Sequence, residues 1–287
     1  MSRHPITGTE PGLDAAWLAR LKRSIDKPPA MPRAALCLAA CGADPSVATI
    51  GSIDPALAAR LAAWGQPLRV AGAAWWIDTP GAAAVDETLA SIAGTLRQLG
   101  ELPGWRGELL AVRSAAGVRI GAIERSAVRA LGIASHAVHL IVLDERGRIW
   151  VQLRAHDKAN DPGCWDTTVG GLVSDGETAE ICLWRESWEE AGLRAAELRG
   201  LAPVGNVTVR RPTPEGYMVE DIEVFEATLP GGGVPHNQDG EVERFECWHA
   251  GQLLARLQAD AFTLEASTIL AQWLGPHAAA LASRRAG

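Results

Sequence analysis

Nowhere in its 287 residues does the chain carry a run of Lys and Arg, and its formal charge is −7. Nucleic-acid binders draw much of their affinity from a basic face set against phosphates, so no nucleic-acid partner is expected. Long apolar runs are missing too. The longest, residues 34–40 and 137–143, fall far short of the ~20 residues that a spanning helix needs. The opening stretch MSRHPITGTEPGLD lacks the apolar core of a signal peptide. No membrane association is expected, and a cytoplasmic location follows. Cysteine is sparse. The five residues Cys37, Cys41, Cys164, Cys182 and Cys247 are odd in number and match no zinc-binding spacing. They read as buried or half-buried thiols in a reducing compartment. What the chain does have is 47% apolar residues, enough for a sizeable core. An acidic protein of this kind still accepts a small anionic substrate when metal ions and a few local cations neutralise it.

The chain divides into three parts. Residues 1–34 read as an N-terminal arm and linker, with Lys27-Pro28-Pro29 near its end. Residues 35–122 read as a small α+β domain. There, helical spacing over 57–64 follows Asp54-Pro55, an N-cap with proline in the first turn. Residues 68–77 read as a strand or hairpin. Residues 85–99 form an amphipathic helix with Val85, Leu89, Ile92, Leu96 and Leu99 on one face, and a strand is expected at 109–112. Residues 123–280 carry a second rhythm: a hairpin from 136–143 to 149–154, a short strand near 165–169, and a helix from Thr178 to Ala191 closed by Gly192. Strands follow at 202–209, 219–228 and 244–248, then helices at 252–258 and 267–274. Sheet and helices in this mixed order predict an α/β or α+β sandwich.

The chemistry concentrates in GLVSDGETAEICLWRESWEEAGL, residues 171–193. At 100° per residue, Glu186 and Glu190 stand one turn apart with Glu189 beside them. Ile181, Trp184, Trp188 and Ala191 fall on the opposite side, a stripe expected to pack on the sheet. Three carboxylates on one helix face repel one another. Arg185 reaches Glu189 at i+4, but one cation does not balance three anions, whereas Mg²⁺ prefers oxygen ligands of this kind.

Gly171, Glu177, Arg185, Glu186, Glu189, Glu190, Gly192 and Leu193 occupy the required positions of G-x5-E-x7-R-E-U-x-E-E-x-G-U, the box of the Nudix hydrolases. Ser187 is the one departure, standing where an aliphatic residue is usual. The resemblance implies a Nudix fold, a mixed β-sheet sandwiched between helices, here preceded by the small α+β domain. It implies a pyrophosphohydrolase that uses Mg²⁺ or Mn²⁺, held by Glu186, Glu189, Glu190 and the carbonyl of Gly171. Arg185 then orients the glutamates and Glu177 braces the loop. Residues 152–171 resemble the approach to the box in proteins related to isopentenyl-diphosphate isomerase, which makes Arg154 and Lys158 the candidates for contacting the substrate's diphosphate. The isomerases' reactive cysteine and histidine positions are Val169 and Gly171 here, so isomerase chemistry is not expected.

The wider chain is similar to a Nudix subgroup with an N-terminal domain of unknown function, through Trp105, Arg106 and Glu108 and through the segment Asn237, Asp239, Gly240, Glu241, Val242 and Phe245. A related module is fused to thiamin pyrophosphokinase in fungi, and this likeness implies hydrolysis of thiamin diphosphate and its oxidised forms to monophosphates. Glu241 is the candidate for a further catalytic carboxylate from a late loop, against the plainer reading of Asp239-Gly240 as a turn. His136, His139 and His156 read as core or loop residues. Trp75, Trp76 and Trp105 are candidates for an aromatic wall around a heterocycle, or simply for core. The box reads a diphosphate and not its substituent, so ADP-ribose or NADH is the alternative substrate class, and a non-catalytic ligand-binding regulator the third reading. The expected partner is a small-molecule diphosphate, and the family's habit of dimerising makes a homodimer an expectation.

Overall fold

The computed structural model describes residues 12–41, 44, 48–158 and 160–283, with side chains up to residue 275 except that of Cys41. The first eleven residues of the expected arm lie outside the described residues. The next fourteen are not a linker. Asp14 caps a helix, α1 (Ala15–Ile25), accepting from the Trp17 amide at 2.7 Å. Trp17, Leu18 and Leu21 are buried in the same cluster as the C-terminal helices, and Trp17 Nε1 donates to Asp260 at 2.8 Å. The pattern over 15–25 was masked by its three cations, Arg20, Lys22 and Arg23, which all lie off this narrow stripe.

The region that follows is α+β, as expected. Strands β1 (Ala34–Leu38) and β2 (Thr49–Ile53) precede α2 (Pro55–Ala63), the hairpin β3 (Leu68–Ala71) and β4 (Ala74–Ile77), and α3 (Val85–Gln98). They make a four-stranded sheet in the order β2-β1-β4-β3, over which Leu57, Leu61, Leu89, Ile92 and Leu96 close a core of their own. A separate two-stranded hairpin, β5 (Leu109–Arg113) and β6 (Arg119–Glu124), leads out of this region. Strand β6 runs across the boundary expected at 122/123.

The remainder is a mixed sheet sandwiched between helices. Strands β7 (Ala134–Asp144), β8 (Ile149–Arg154), β9 (Trp165–Asp166) and β10 (Val169–Leu172) come first, then helix α4 (Ala179–Ala191). Strands β11 (Arg199–Thr213), β12 (Gly216–Leu229) and β13 (Val242–Trp248) follow, and helices α5 (Ala250–Gln258) and α6 (Leu264–Ser283) complete the unit. The sheet order is β11-β12-β7-β8-β13, with β10 on β7 and β9 on β8. Strand β7 is the hub: it pairs in parallel with β12 and antiparallel with β8 and β10. One face buries Ile141, Val151, Val209 and Ile222 under α1, α5 and α6. The other buries Val138, Leu140 and Val142 under α4. The β11–β12 hairpin is longer than the sequence pattern predicts, because the polar residues at its tip still pair down to Thr213 and Gly216; backbone pairing there does not require an apolar face. No helix among the described residues is long and apolar enough to cross a membrane.

Candidate active site

Helix α4 begins where Thr178 Oγ1 accepts from the Ile181 amide at 3.2 Å and ends on Gly192, whose φ of 64° is the left-handed conformation that terminates helices at little cost to glycine. The helix does not bury the stripe expected from its tryptophans. Ile181 and Trp188 are exposed, and Arg194 stacks over the Trp188 ring at 4.7 Å. The buried face is Cys182, Leu183, Ser187, Glu190 and Ala191. Packing, not hydrophobicity alone, sets the rotation: Ser187 is wholly buried, with Glu190 on the same face toward the sheet.

Glu190 is thereby enclosed at 3% exposure, where its Oε2 accepts from Gly170 N at 3.0 Å and Gln152 Nε2 at 3.2 Å. Burial, reinforced by the charge of Glu186, pushes its carboxyl up to about 8. Glu186 lies nearer the opening. Burial pushes it up to about 7, against the pull of Arg185. Its carboxyl rests on the backbone of Gly171 so closely that a Cβ there would stand 2.1 Å from Cδ.

Arg185 is the organiser. It grips Glu177 with two bonds of 2.8 and 2.9 Å, and its Nη1 reaches Glu186 at 2.7 Å and Glu189 at 3.0 Å. The bond from Arg185 holds the Glu177 carboxyl below its ordinary range. Such charge-assisted, bidentate contacts are the strong kind. Because Arg185 draws Glu186 and Glu189 to itself, no three His, Cys, Asp or Glu among the described residues converge as a preformed metal centre.

The donor set nevertheless fits a hard divalent cation. Glu186, Glu189, Glu190 and the Gly171 carbonyl offer oxygen only. The Gln152 Oε1 atom is buried beside Glu190 without a hydrogen-bond partner among the described residues, and burial raises the Glu186 and Glu190 carboxyls. Uncompensated acceptors of this sort are what a cation relieves.

The candidates for metal, catalysis and diphosphate meet on one cavity of about 940 Å³: Gly171, Arg185, Glu186, Glu189 and Glu190 on one wall, Arg154, Lys158 and Glu241 on another. Lys158 forms an ion pair with Glu241. Burial would raise the Glu241 carboxyl, but Lys158 outweighs it and holds the group below its ordinary range. Arg154 is committed to its own loop, donating to the Asn160 and Asp161 carbonyls at 3.0 and 3.2 Å and to Asp166 at 3.5 Å. His139 is buried on Thr167 at 2.7 Å, and His136 pairs with Glu223.

The aromatic wall is not there. Trp75, Trp76 and Trp105 do not line the cavity; Trp76 is core of the α+β region and Trp105 lies under Arg97 at 5.0 Å. That region contributes Arg106, Glu108 and Arg125 instead. Sequence reading also missed the far end, where Met218 and Glu220 of β12 meet Glu265 of α6, Arg129 and Arg211. Burial, with Glu265 adding to it, pushes the Glu220 carboxyl up to about 7. The alternation of Met218, Glu220 and Ile222 on one strand face was the only available signal, and it points a charge at what should be core.

The NUDIX domain model matches residues 135–270. An uncharacterized Nudix hydrolase of Nostoc sp. is 33% identical over 128 residues, 44% of this chain and 72% of that protein. The chain belongs to the Nudix hydrolase family. Nudix hydrolase 20, chloroplastic, of Arabidopsis thaliana is 28% identical over 179 residues, 60% of this chain and 48% of its own length. An isopentenyl-diphosphate Delta-isomerase of Streptomyces coelicolor is 35% identical over 105 residues, 36% of this chain and 52% of the relative. The chain thus spans about half the length of several curated relatives it matches.

Proposed function

We propose that the chain is a divalent-metal-dependent pyrophosphohydrolase of small molecules, acting on thiamin diphosphate and its oxidised analogues. The observation that carries the reaction class is the juxtaposition of Glu186 and Glu190, both held up by burial, with the open backbone of Gly171. Mg²⁺ or Mn²⁺ held by Glu186, Glu189, Glu190 and the Gly171 carbonyl would supply the charge that neutralises a diphosphate. Arg185 holds the glutamates in register. Water attacks the terminal phosphorus, the bridging P–O bond breaks, and the products are the monophosphate and inorganic phosphate. Glu241 takes the proton of that water. Lys158, once exchanged from Glu241, contacts the diphosphate, and Arg154 braces the loop that carries it.

The far end of the cavity supports the substrate. Glu220, whose carboxyl burial pushes up to about 7, and Glu265, paired with Arg211, offer acceptors beside Met218. Thiamin presents a cationic thiazolium and an amino-substituted pyrimidine to such a wall, whereas the ribose and adenine of ADP-ribose bring no positive charge. The test is a hydrolysis panel with Mg²⁺ or Mn²⁺ across thiamin diphosphate, oxythiamin diphosphate, ADP-ribose, NADH and nucleoside triphosphates, with products resolved by chromatography. Preferential release of the thiamin monophosphates is expected. Preference for ADP-ribose or NADH discards the thiamin assignment, and no turnover of any compound discards the hydrolase.

A further inference from the structure

The α+β region does not merely precede the catalytic unit; it is bolted to the loop that leads into α4. Leu110 of β5 bridges Ser174, and the Asp175 amide donates to the Leu109 carbonyl at 2.7 Å. Arg119 of β6 holds the Asp175 carboxylate through bonds of 2.6 and 2.8 Å. Glu108 is the joint. One of its oxygens accepts from Ser174 Oγ at 2.9 Å, and the other accepts from Arg125 Nη1 at 2.7 Å. Arg125 is also fixed through its backbone, whose amide donates to the Glu108 carbonyl at 2.8 Å. Its neighbour at the rim is fixed likewise: the Arg106 amide donates to Glu124 at 2.7 Å.

The cavity has a surplus of carboxylates, and a diphosphate brings more negative charge. Cations must meet it, and most of those on the walls are already taken. Arg185 is held by Glu177, Glu186 and Glu189, Arg154 by its own loop and Lys158 by Glu241, while Arg211 and Arg129 each make one contact, to Glu265 and Glu215, and the buried Arg211 Nε has no hydrogen-bond partner among the described residues. Two more stand at the junction with the α+β region. The Arg106 guanidinium has no hydrogen-bond partner among the described residues, and Arg125 spends one N–H of five on Glu108. Arg125 also stands centrally. Burial raises the carboxyls of Glu186, Glu220 and Glu241, outweighed only at Glu241, and in all three the Arg125 charge works against it.

We infer that Arg106 and Arg125 bind the substrate's phosphate groups, with Glu108 aiming Arg125, so that the N-terminal region completes the active site. This rests on the reading of the substrate as a diphosphate. A guanidinium is suited to the task because its fork matches phosphate oxygens two at a time.

The experiment measures steady-state hydrolysis of thiamin diphosphate with Mg²⁺, and calorimetric binding of methylenediphosphonate with Mg²⁺, for the wild type, Arg106→Ala, Arg125→Ala, the double variant and Glu108→Gln. Loss of one charged contact is worth about tenfold or more in affinity. The expected result is a rise in KM of roughly tenfold for each single variant, a larger rise for the double, and a parallel weakening of methylenediphosphonate, with melting temperatures close to that of the wild type. Glu108→Gln follows Arg125→Ala in KM but less steeply. Unchanged KM and unchanged affinity in the double variant overturn the inference and leave the hydrolase reading standing. If the wild type hydrolyses nothing, that reading falls, and methylenediphosphonate decides alone: binding lost in the double variant upholds the arginine site. Binding that is equal in both proteins, or absent from the wild type, overturns it.

Discussion

The Glu186 carboxyl lies on the backbone of Gly171, on a strand fifteen positions earlier, with 2.1 Å between its Cδ and the place a Cβ would occupy. No real Cβ tolerates such a contact, so any side chain at this position must push the Glu186 carboxyl aside. Gly171→Ala should therefore displace Glu186 while leaving the sheet intact. Turnover is expected to fall on the order of a hundredfold, the cost of misplacing a reacting group by an ångström, with a change in melting temperature of only a few degrees. Wild-type turnover in this variant would separate Glu186 from the chemistry.

Glu190→Gln keeps the shape of the side chain and its bond from Gly170 while removing the charge. Turnover should drop by orders of magnitude, yet the folded state should lose nothing at neutral pH, because the carboxyl it replaces is itself held up by burial. Kinetics and thermal unfolding on the same preparation check both halves. Retained turnover would sink the ligand assignment.

The pH dependence follows from three raised carboxyls. Glu186 and Glu220 are pushed up to about 7 and Glu190 to about 8, in each case by burial first. A group whose folded value is raised contributes stability that is complete below its unfolded value, 4.5 here, and is lost as pH rises through the folded value. Glu177 and Asp144 are lowered and act only at more acid pH. The metal-free protein should thus lose thermal stability between about pH 5 and 9. Mg²⁺ must displace the protons of Glu186 and Glu190, so its stabilising effect should grow over the same window. Scanning fluorimetry with and without Mg²⁺ measures both; a Mg²⁺ effect that is flat with pH would contradict the assignment.

Trp17→Ala tests whether α1 belongs to the catalytic unit. The ring is buried in the main core, and its Nε1 donates to Asp260. Truncation should cost about 3–5 kcal/mol, read from denaturant unfolding. A cost under about 1 kcal/mol would mean the helix is an appendage.

The sequence by itself determined whatever is local. The span of α4 was legible in the Thr178 cap, the 3.6-residue spacing and the Gly192 stop. The tie of Arg185 to Glu189 followed from their i,i+4 places on one helix, whereas the bracing role of Glu177 came from the family resemblance. The hairpins were visible because period-2 alternation and turn residues are short-range signals. The candidate residues of the box were named by their pattern, and the fold places them on one cavity.

Tertiary structure alone decided the rest. The face that α4 buries was misread because Trp188 outranks Ser187 in hydrophobicity, while packing on the sheet puts Ser187 and Glu190 inside. Helix α1 was invisible because its narrow apolar stripe finds partners some 240 residues away. Arg106, Glu108 and Arg125 reached the site by the same means. Glu108 meets Ser174 across 66 positions, and Gln152 meets Glu190 across 38. Periodicity reports which way a side chain points from its own element; only packing of one element on another reports what it points at.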